Sequence, residues 1–337
     1  MNQEKPMTRV VRFHETGSPD VLKIEDLAIG SPGKGELKVK VEAIGLNRAE
    51  AMFRAGAYLE APTLPARIGY EASATVLALG EGVTGHAVGD AVSVIPAFSM
   101  NAYGVYADEA IVPAYGVLKR PPGLSTVECA GVWMAYLTAW GALIEIGGLK
   151  AGEAAIITAA SSSVGIASIQ TANAVGATSI AVTRTRAKAA DLKAAGAAHV
   201  IVTDEQDLSA EVMRITDGKG ARVAFDPVAG PQLMKLAEAA APGGVIIEYG
   251  ALSTEATPYP LFLSLLKALS IRGYTLFEFN GNAARLATAE KFILDGIKAG
   301  TLKPVIAKTF PLSKIADAHR YLESNQQFGK VVVTTDA

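Results

Sequence analysis

One cysteine, Cys129, in 337 residues leaves room for no internal disulfide and no zinc site built from several thiolates. Its apolar neighbours mark it as a buried structural thiol. Histidine is almost as scarce. His14, His86, His199 and His319 sit in unrelated segments, so each is read as a surface or packing residue rather than a metal ligand. Neither sign of charge is in excess, and a net −2 sets up no global field for nucleic acid or an anionic membrane. No apolar run approaches the ~20 residues of a membrane span, and the opening MNQEKPMTRVVRF lacks the apolar segment of an export signal. The expectation is a soluble, cytoplasmic protein that handles a small molecule, with no nucleic acid and no membrane as partner.

What the chain has in plenty is small and apolar residues. Half of it is hydrophobic and 33 residues are glycine, which suits a many-turned α/β protein. The length is that of two domains, at roughly 100–200 residues each. Up to about residue 130, period-two runs such as residues 37–43 and 91–96 predict an antiparallel, partly open β domain. Residues 128–146 turn helical. Strand and helix then alternate, with strands at 155–158, 179–182, 200–202, 223–225 and 245–248 and helices at 208–216 and 232–240. That alternation predicts a parallel sheet with helices on both faces. Residues 270–276 read as a further strand before a long helix ending near Gly300, and after Pro304 short β elements and a helix at 315–323 follow.

The densest signal lies in residues 155–186. Ile166, Ile169, Ala172 and Val175 recur at helical spacing as far as Gly176, between the strands at 155–158 and 179–182. Between the first strand and this helix, Ala160-Ser161-Ser162-Ser163-Val164-Gly165 occupies the frame of G-x-G-x-x-G, with Ala and Ser at the first two glycine positions. Small residues let the backbone turn sharply and approach a pyrophosphate, whose charge meets the N–H groups at a helix N-terminus. Serine hydroxyls add donors. Taken alone, the pattern also describes a Ser-capped helix after a strand. After Val182 come Thr183-Arg184-Thr185-Arg186-Ala187-Lys188, with no carboxylate before Asp191, whereas an NAD site carries an acid there for the ribose hydroxyls. Arg184 offers a planar fork to a 2′-phosphate, Thr183 and Thr185 offer hydroxyls, and Arg186 or Lys188 a further charge. The expected cofactor is NADP; the other reading of this stretch is a solvated basic start to the next helix. An open parallel sheet takes its ligand beyond the carboxyl ends of its strands. Loops at 159–163, 183–186, 226–230 and 249–253 are therefore expected to line one crevice, which adds Val228, Tyr249 and Gly250 to the cofactor-binding set.

Gly45-Leu46-Asn47, Arg54-Ala55-Gly56-Ala57-Tyr58, Gly69-Tyr70-Glu71, Val88-Gly89-Asp90-Ala91-Val92, Leu137-Thr138-Ala139-Trp140, the Ser-rich turn, Phe225-Asp226-Pro227-Val228-Ala229-Gly230 and Gly329-Lys330-Val331-Val332 follow one another along the chain. Their order and spacing resemble the medium-chain dehydrogenase/reductase superfamily, and within it the zinc-free quinone oxidoreductase-like branch, over nearly the whole chain. The resemblance implies a GroES-like, partly open β-barrel catalytic domain from residues 1–130 and 304–337. It implies a doubly wound, parallel-sheet Rossmann domain from residues 131–303, an active-site cleft between the two, and a homodimer joined through Rossmann edge strands at residues 271–276. It also places Thr138 and Lys330 among the cofactor-binding residues.

Zinc members of that superfamily hold their catalytic metal with a Cys, a His and a further Cys. The matching places here are Asn47, Tyr70 and Met134, which supply neither thiolate nor imidazole, so no metal is expected. Glu71 keeps the Gly-x-Glu pattern, but one carboxylate without partners is no metal site. Alcohol oxidation in the zinc enzymes relies on a Lewis acid, whereas a conjugated acceptor takes hydride directly if a donor supports the developing enolate oxygen. Reduction of a quinone or an activated alkene, enone or enoyl, by NADPH is the expected reaction. By the resemblance Tyr58 lies in the cleft as a proton donor, Asn47 reaches the substrate carbonyl or the nicotinamide ribose, and Tyr70 faces the same cleft. From the residues alone, Tyr58 also reads as loop packing and Asn47 as the cap of a helix beginning at Arg48.

Tyr115-Gly116-Val117-Leu118-Lys119 matches the Tyr-x-x-x-Lys pair of short-chain dehydrogenases, but that pair needs a helix, and Gly116 with Pro121-Pro122 argues against one. Two other functions stay open at this stage: an alcohol dehydrogenase of the zinc-type superfamily, and a non-catalytic NADPH-binding redox sensor. The NADP assignment has a direct check. Replacing Arg184 by Glu is expected to weaken NADPH binding far more than NADH binding in fluorescence titrations, and equal loss of both would contradict the role given to Arg184.

Overall fold

A computed structural model describes Met7–Thr335; residues 1–6, where the export-signal reading begins, and residues 336–337 lie outside the described set. The chain divides into two compact units. One comprises Met1–Met134 with Pro304–Ala337, and the other comprises Ala135–Lys303.

The second unit is built on six parallel strands: Ala154–Ile157, Thr178–Thr183, His199–Val202, Ala221–Asp226, Ala240–Glu248 and Ser270–Gly273. In the sheet they lie in the order third, second, first, fourth, fifth, sixth, the doubly wound order of a dinucleotide-binding fold. The central strands are short apolar runs because both faces are covered. Ile156, Ile180 and Ile246 are all fully buried, and they share their core with Leu236 and Val212 of the crossing helices Gln232–Ala239 and Leu208–Ile215. Strand order reverses between the first and fourth strands. In open sheets of this kind the switch point, beyond the carboxyl ends, is where a ligand is bound.

Two expectations differ in detail. The strand expected through residue 276 stops at Gly273, and a helical turn, Phe277–Asn280, follows. That turn sends both Tyr274 and Phe279 into the core against Gly141, where an added Cβ would stand 2.3 Å from the Tyr274 hydroxyl and 2.5 Å from the Phe279 ring. Alternation along a strand would have put residues 274 and 279 on opposite faces. The helix expected over residues 128–146 comes as pieces, Thr126–Cys129 and Trp133–Trp140, with a wider π-type stretch over Gly141–Ile146. The first interruption contains Gly131, a poor helix former.

The first unit holds the antiparallel sheet. Glu36–Gly45 is its longest strand and pairs with Ala72–Leu79, with Glu109–Pro113 and, from the far end of the chain, with Lys330–Thr334. Its alternation buries Leu37, Val39 and Val41 completely. Tyr115 lies in a tight turn, Ala114–Gly116, and Lys119 in the strand Val117–Lys119, so this pair shares no helix. Cys129 is buried, and burial pushes its thiol up to about 11. No helix among the described residues is long and apolar enough to cross a membrane.

Candidate active site

The first strand of the parallel sheet runs into Thr158 and Ala159, whose φ of 43° lies in the left-handed region. The sharp turn delivers Ala160, which is buried, against the start of the helix Ser163–Ala174. Gly165 is required at this spot, because a Cβ on it would stand 2.5 Å from the Ala160 carbonyl oxygen. The helix and strand can therefore pack backbone to backbone. Ser162 is the N-cap, its Oγ accepting the Gly165 N–H at 3.0 Å, and the first main-chain helical bond runs from Ile166 N–H to Ser162 O at 2.9 Å. The N–H groups of Ser163 and Val164 precede that bond and have no carbonyl within the helix to meet. Ser161, Ser162, Ser163 and Val164 are half-buried.

The basic loop comes back to this turn. Lys188 donates from Nζ to Ser161 Oγ at 3.3 Å, and burial pulls its ammonium below the usual lysine value. Thr183 Oγ1 donates to the Thr185 carbonyl at 3.3 Å, which braces the loop, and Arg184 stands exposed on it. Arg186 forms an ion pair with Glu205, from the loop after the third strand, with Nε 3.1 Å from Oε1. Glu205 gave no signal in the sequence, since nothing there shows that its loop lies beside Arg186.

Residues 226–230 and 249–253 run side by side. Leu252 N–H reaches Pro227 O at 3.0 Å and Ser253 N–H reaches Val228 O at 2.9 Å. Gly250 must be glycine for this approach, as an added Cβ would lie 2.8 Å from Pro227 O. Tyr249 stacks on Phe225, ring centres 3.9 Å apart, and its hydroxyl is hydrogen-bonded to Ser162 of the nucleotide turn. The N–H of Val228 is taken by Asp226 Oδ1 at 3.1 Å. Thr138 is buried in the helix Trp133–Trp140.

In the first unit a buried polar cluster gathers Asn47, Glu50, Glu71 and Lys330. Lys330 is 1% exposed, and its Nζ lies 2.5 Å from Glu71 Oε2 and 2.7 Å from Asn47 Oδ1. Glu71 Oε1 accepts the Met134 N–H at 2.9 Å. Asn47 caps the helix Arg48–Arg54, and its side-chain amide donates to Gly45 O at 2.9 Å and Glu50 Oε1 at 3.3 Å. Both amide hydrogens are thus engaged inside the protein. Glu50, fully buried, also accepts from the Tyr70 N–H at 2.9 Å and the Tyr106 hydroxyl at 2.8 Å. Beyond Tyr106, His319 lies within 3.2 Å of its hydroxyl and within 3.0 Å of Arg54. Burial and Arg54 push His319 down to about 3, so it stays neutral. Tyr58 and Tyr70 meet edge to face with ring centres 6.5 Å apart, and their hydroxyls are hydrogen-bonded. Burial raises both phenols above the ordinary tyrosine value, so both keep their protons at neutral pH.

The donor set at Asn47, Tyr70 and Met134 does not suit zinc. It lacks thiolate and imidazole, the Asn47 amide is consumed, and the Glu71 carboxylate is occupied by an ammonium that would repel a divalent cation. Among the described residues no group of three or more His, Cys, Asp or Glu could hold a metal ion.

Comparison with known proteins finds matches in both units. Residues 33–122 match the alcohol dehydrogenase GroES-like domain and residues 195–333 the zinc-binding dehydrogenase family. A 2-haloacrylate reductase from a Burkholderia species is 31% identical over 98% of this chain and 100% of its own length. The chain belongs to the medium-chain dehydrogenase/reductase superfamily, in its quinone oxidoreductase-like branch. Human quinone oxidoreductase is likewise 31% identical, over 97% of this chain and 98% of its own. The structure of Escherichia coli quinone oxidoreductase complexed with NADPH superimposes with a TM-score of 0.90 at 28% identity, covering 97% of this chain and 99% of that one. The superfamily's GroES-like domain is therefore the antiparallel unit, and its Rossmann domain the parallel one.

The buried cluster makes a quantitative prediction. Lys330→Met leaves Glu71 charged and without its cation in a site closed to water, and should cost about 3–5 kcal/mol in urea unfolding. Lys330→Met combined with Glu71→Leu should recover part of that loss. If the double variant is less stable than the single one, the cost does not come from the orphaned carboxylate.

Proposed function

We propose that the protein is an NADPH-dependent reductase that delivers hydride to a quinone or an activated alkene without a metal. The reading is carried by the junction of Lys188 with Ser161, which joins the basic loop after the second strand to the small-residue turn after the first. A pyrophosphate would be met by the N–H groups of Ser163 and Val164 and the hydroxyl of Ser161, and a 2′-phosphate by Arg184 and Lys188. Bound NADPH would supply the hydride. The relatives named quinone oxidoreductase and 2-haloacrylate reductase support acceptors of this class.

Hydride arriving at one end of a conjugated system places negative charge on the oxygen at the other end, and completing the reduction requires one proton. Tyr58 is the candidate donor. It is half-buried, it remains a phenol at neutral pH, and its hydrogen bond to the wholly buried Tyr70 fixes its direction. Asn47 then acts as a positioning residue rather than a substrate ligand, holding Lys330 and Glu50 in place. A protein with a single buried cysteine suits a reducing, cytoplasmic setting.

The assembly we propose is a homodimer across the free edge of the Rossmann sheet. The sixth strand, Ser270–Gly273, has one side unpaired, and the helix Leu261–Lys267 before it exposes Phe262 at 83%, Leu265 at 70% and Leu266 at 81%. Side chains this apolar and this exposed call for a covering surface.

Two measurements check these readings. NADPH oxidation should be seen with at least one of a panel of quinones, enones and enoyl thioesters, and Tyr58→Phe should lower kcat by roughly 10²-fold while leaving NADPH affinity unchanged. Tight NADPH binding with no turnover on any acceptor would favour the sensor reading instead. Sedimentation should show a dimer that Phe262→Asp with Leu266→Asp converts to monomer, and a monomeric unaltered protein would dismiss the interface.

A further inference from the structure

The fourth and fifth strands end in two carboxyl groups that face each other, since Asp226 and Glu248 are register partners. Asp226 is fully buried and richly served. It accepts from Thr158 Oγ1, from the N–H groups of Val228 at 3.1 Å and Ala229 at 2.8 Å, and from Gln232 Nε2 at 3.3 Å. Such a donor set satisfies an ionised carboxylate, which is acceptor-only.

Glu248 has the opposite surroundings. Both its carboxyl oxygens are buried, and no donor reaches either among the described residues. The charged group that bears on it is Asp226. On the sixth strand Arg272 is turned to Glu278, the neighbouring Tyr249 hydroxyl goes to Ser162, and Tyr274 meets only the Glu248 main-chain oxygen, at 2.8 Å through its N–H. Two carboxyl oxygens bond to each other only when one of them carries a proton. Asp226 holds all the donors and Glu248 none, so Glu248 is the one that carries it, and burial with the Asp226 charge raises Glu248 to about 8.

The location gives this proton a use. A doubly wound sheet binds its dinucleotide in two halves across the switch point, and the basic loop after the second strand belongs to the adenosine half. The fourth and fifth strands belong to the other half, where the nicotinamide is neutral when reduced and cationic when oxidised. Resting on the NADPH reading above, we propose that the Asp226–Glu248 pair tunes the crevice to the redox state of the cofactor: Glu248 keeps its proton beside the reduced ring and releases it to solvent when the cationic ring occupies that half. The exchange transfers one proton and breaks no other bond. Its effect is to favour the product form of the cofactor as pH rises.

Isothermal titration of NADPH and NADP+ from about pH 6.5 to about pH 9.5 tests this, because the 2′-phosphate is common to both and cancels in their ratio. The ratio of Kd for NADPH to Kd for NADP+ should rise on the order of tenfold through the Glu248 transition, the scale of one charge pair at an effective dielectric of about 20. NADP+ binding near neutral pH should release protons, seen as a dependence of the heat on the buffer used, while NADPH binding should not. Glu248→Gln, which can still donate to Asp226 but cannot ionise, should flatten both signals. A flat ratio in the unaltered protein, or an unchanged slope in the Gln variant, would overturn the inference. If that variant does not fold, infrared difference spectra of the unaltered protein should show a protonated carboxyl band lost on NADP+ binding, and its persistence would overturn the inference equally. Failure to bind either form would instead remove the NADPH reading, and this inference with it.

Discussion

A lysine ammonium closed off from water is the constraint on which the GroES-like unit depends. Lys330 begins the last strand of the chain, and its charge is met by Glu71 and by Asn47, from two segments near the other end. A buried charge is tolerated only with such partners, so strand pairing and charge pairing must close together. The same contacts decide what the site can do. They bind the Asn47 amide, fill the carboxylate of the Gly-x-Glu motif, and put a lysine ammonium beside both. Lys330 was expected at the cofactor; in the structure its ammonium donates to Asn47 and Glu71.

The Rossmann unit rests on a different economy. Its strands are apolar because helices cover both faces, and polar residues collect at the ends of several of them. Thr158, Thr183, Asp226 and Glu248 all lie at those ends, together with the turn that Gly165 keeps close and the loop that Lys188 ties to it. Chemistry can be arranged there without weakening the core beneath it. Donor supply separates the two acids at this edge: Asp226 is surrounded by N–H and O–H groups, while Glu248 has a carboxylate for company.

Much of this was legible in the residues. Period-two runs located the strand over residues 36–45, apolar runs between helical segments located the parallel sheet, and the Ser-rich turn lies where its frame predicted. Tyr58 and Tyr70 were singled out from separate segments, and the structure brings their hydroxyls together. Less legible were the partners. The sequence does not show that Arg186 pairs with Glu205, and Glu50, Tyr106 and His319 carry no local pattern that would link them. Ion pairs and buried hydrogen bonds join residues far apart in the chain, and spacing along a chain says nothing about such distances.

The sequence by itself determined the class of protein, the alternation that builds the parallel sheet, the basic stretch free of carboxylates after Val182, and the lack of thiolate and imidazole at Asn47, Tyr70 and Met134. These follow from local properties: apolar periodicity, residue size, and the kind of atom each side chain carries. Tertiary structure alone decided which polar groups are used up and which are left with a task. That Asn47 caps a helix, that Arg186 pairs with Glu205, and that two carboxyls face each other at the strand ends depend on which segments meet and on the nearest charge. Those quantities exist only once distant segments are packed together.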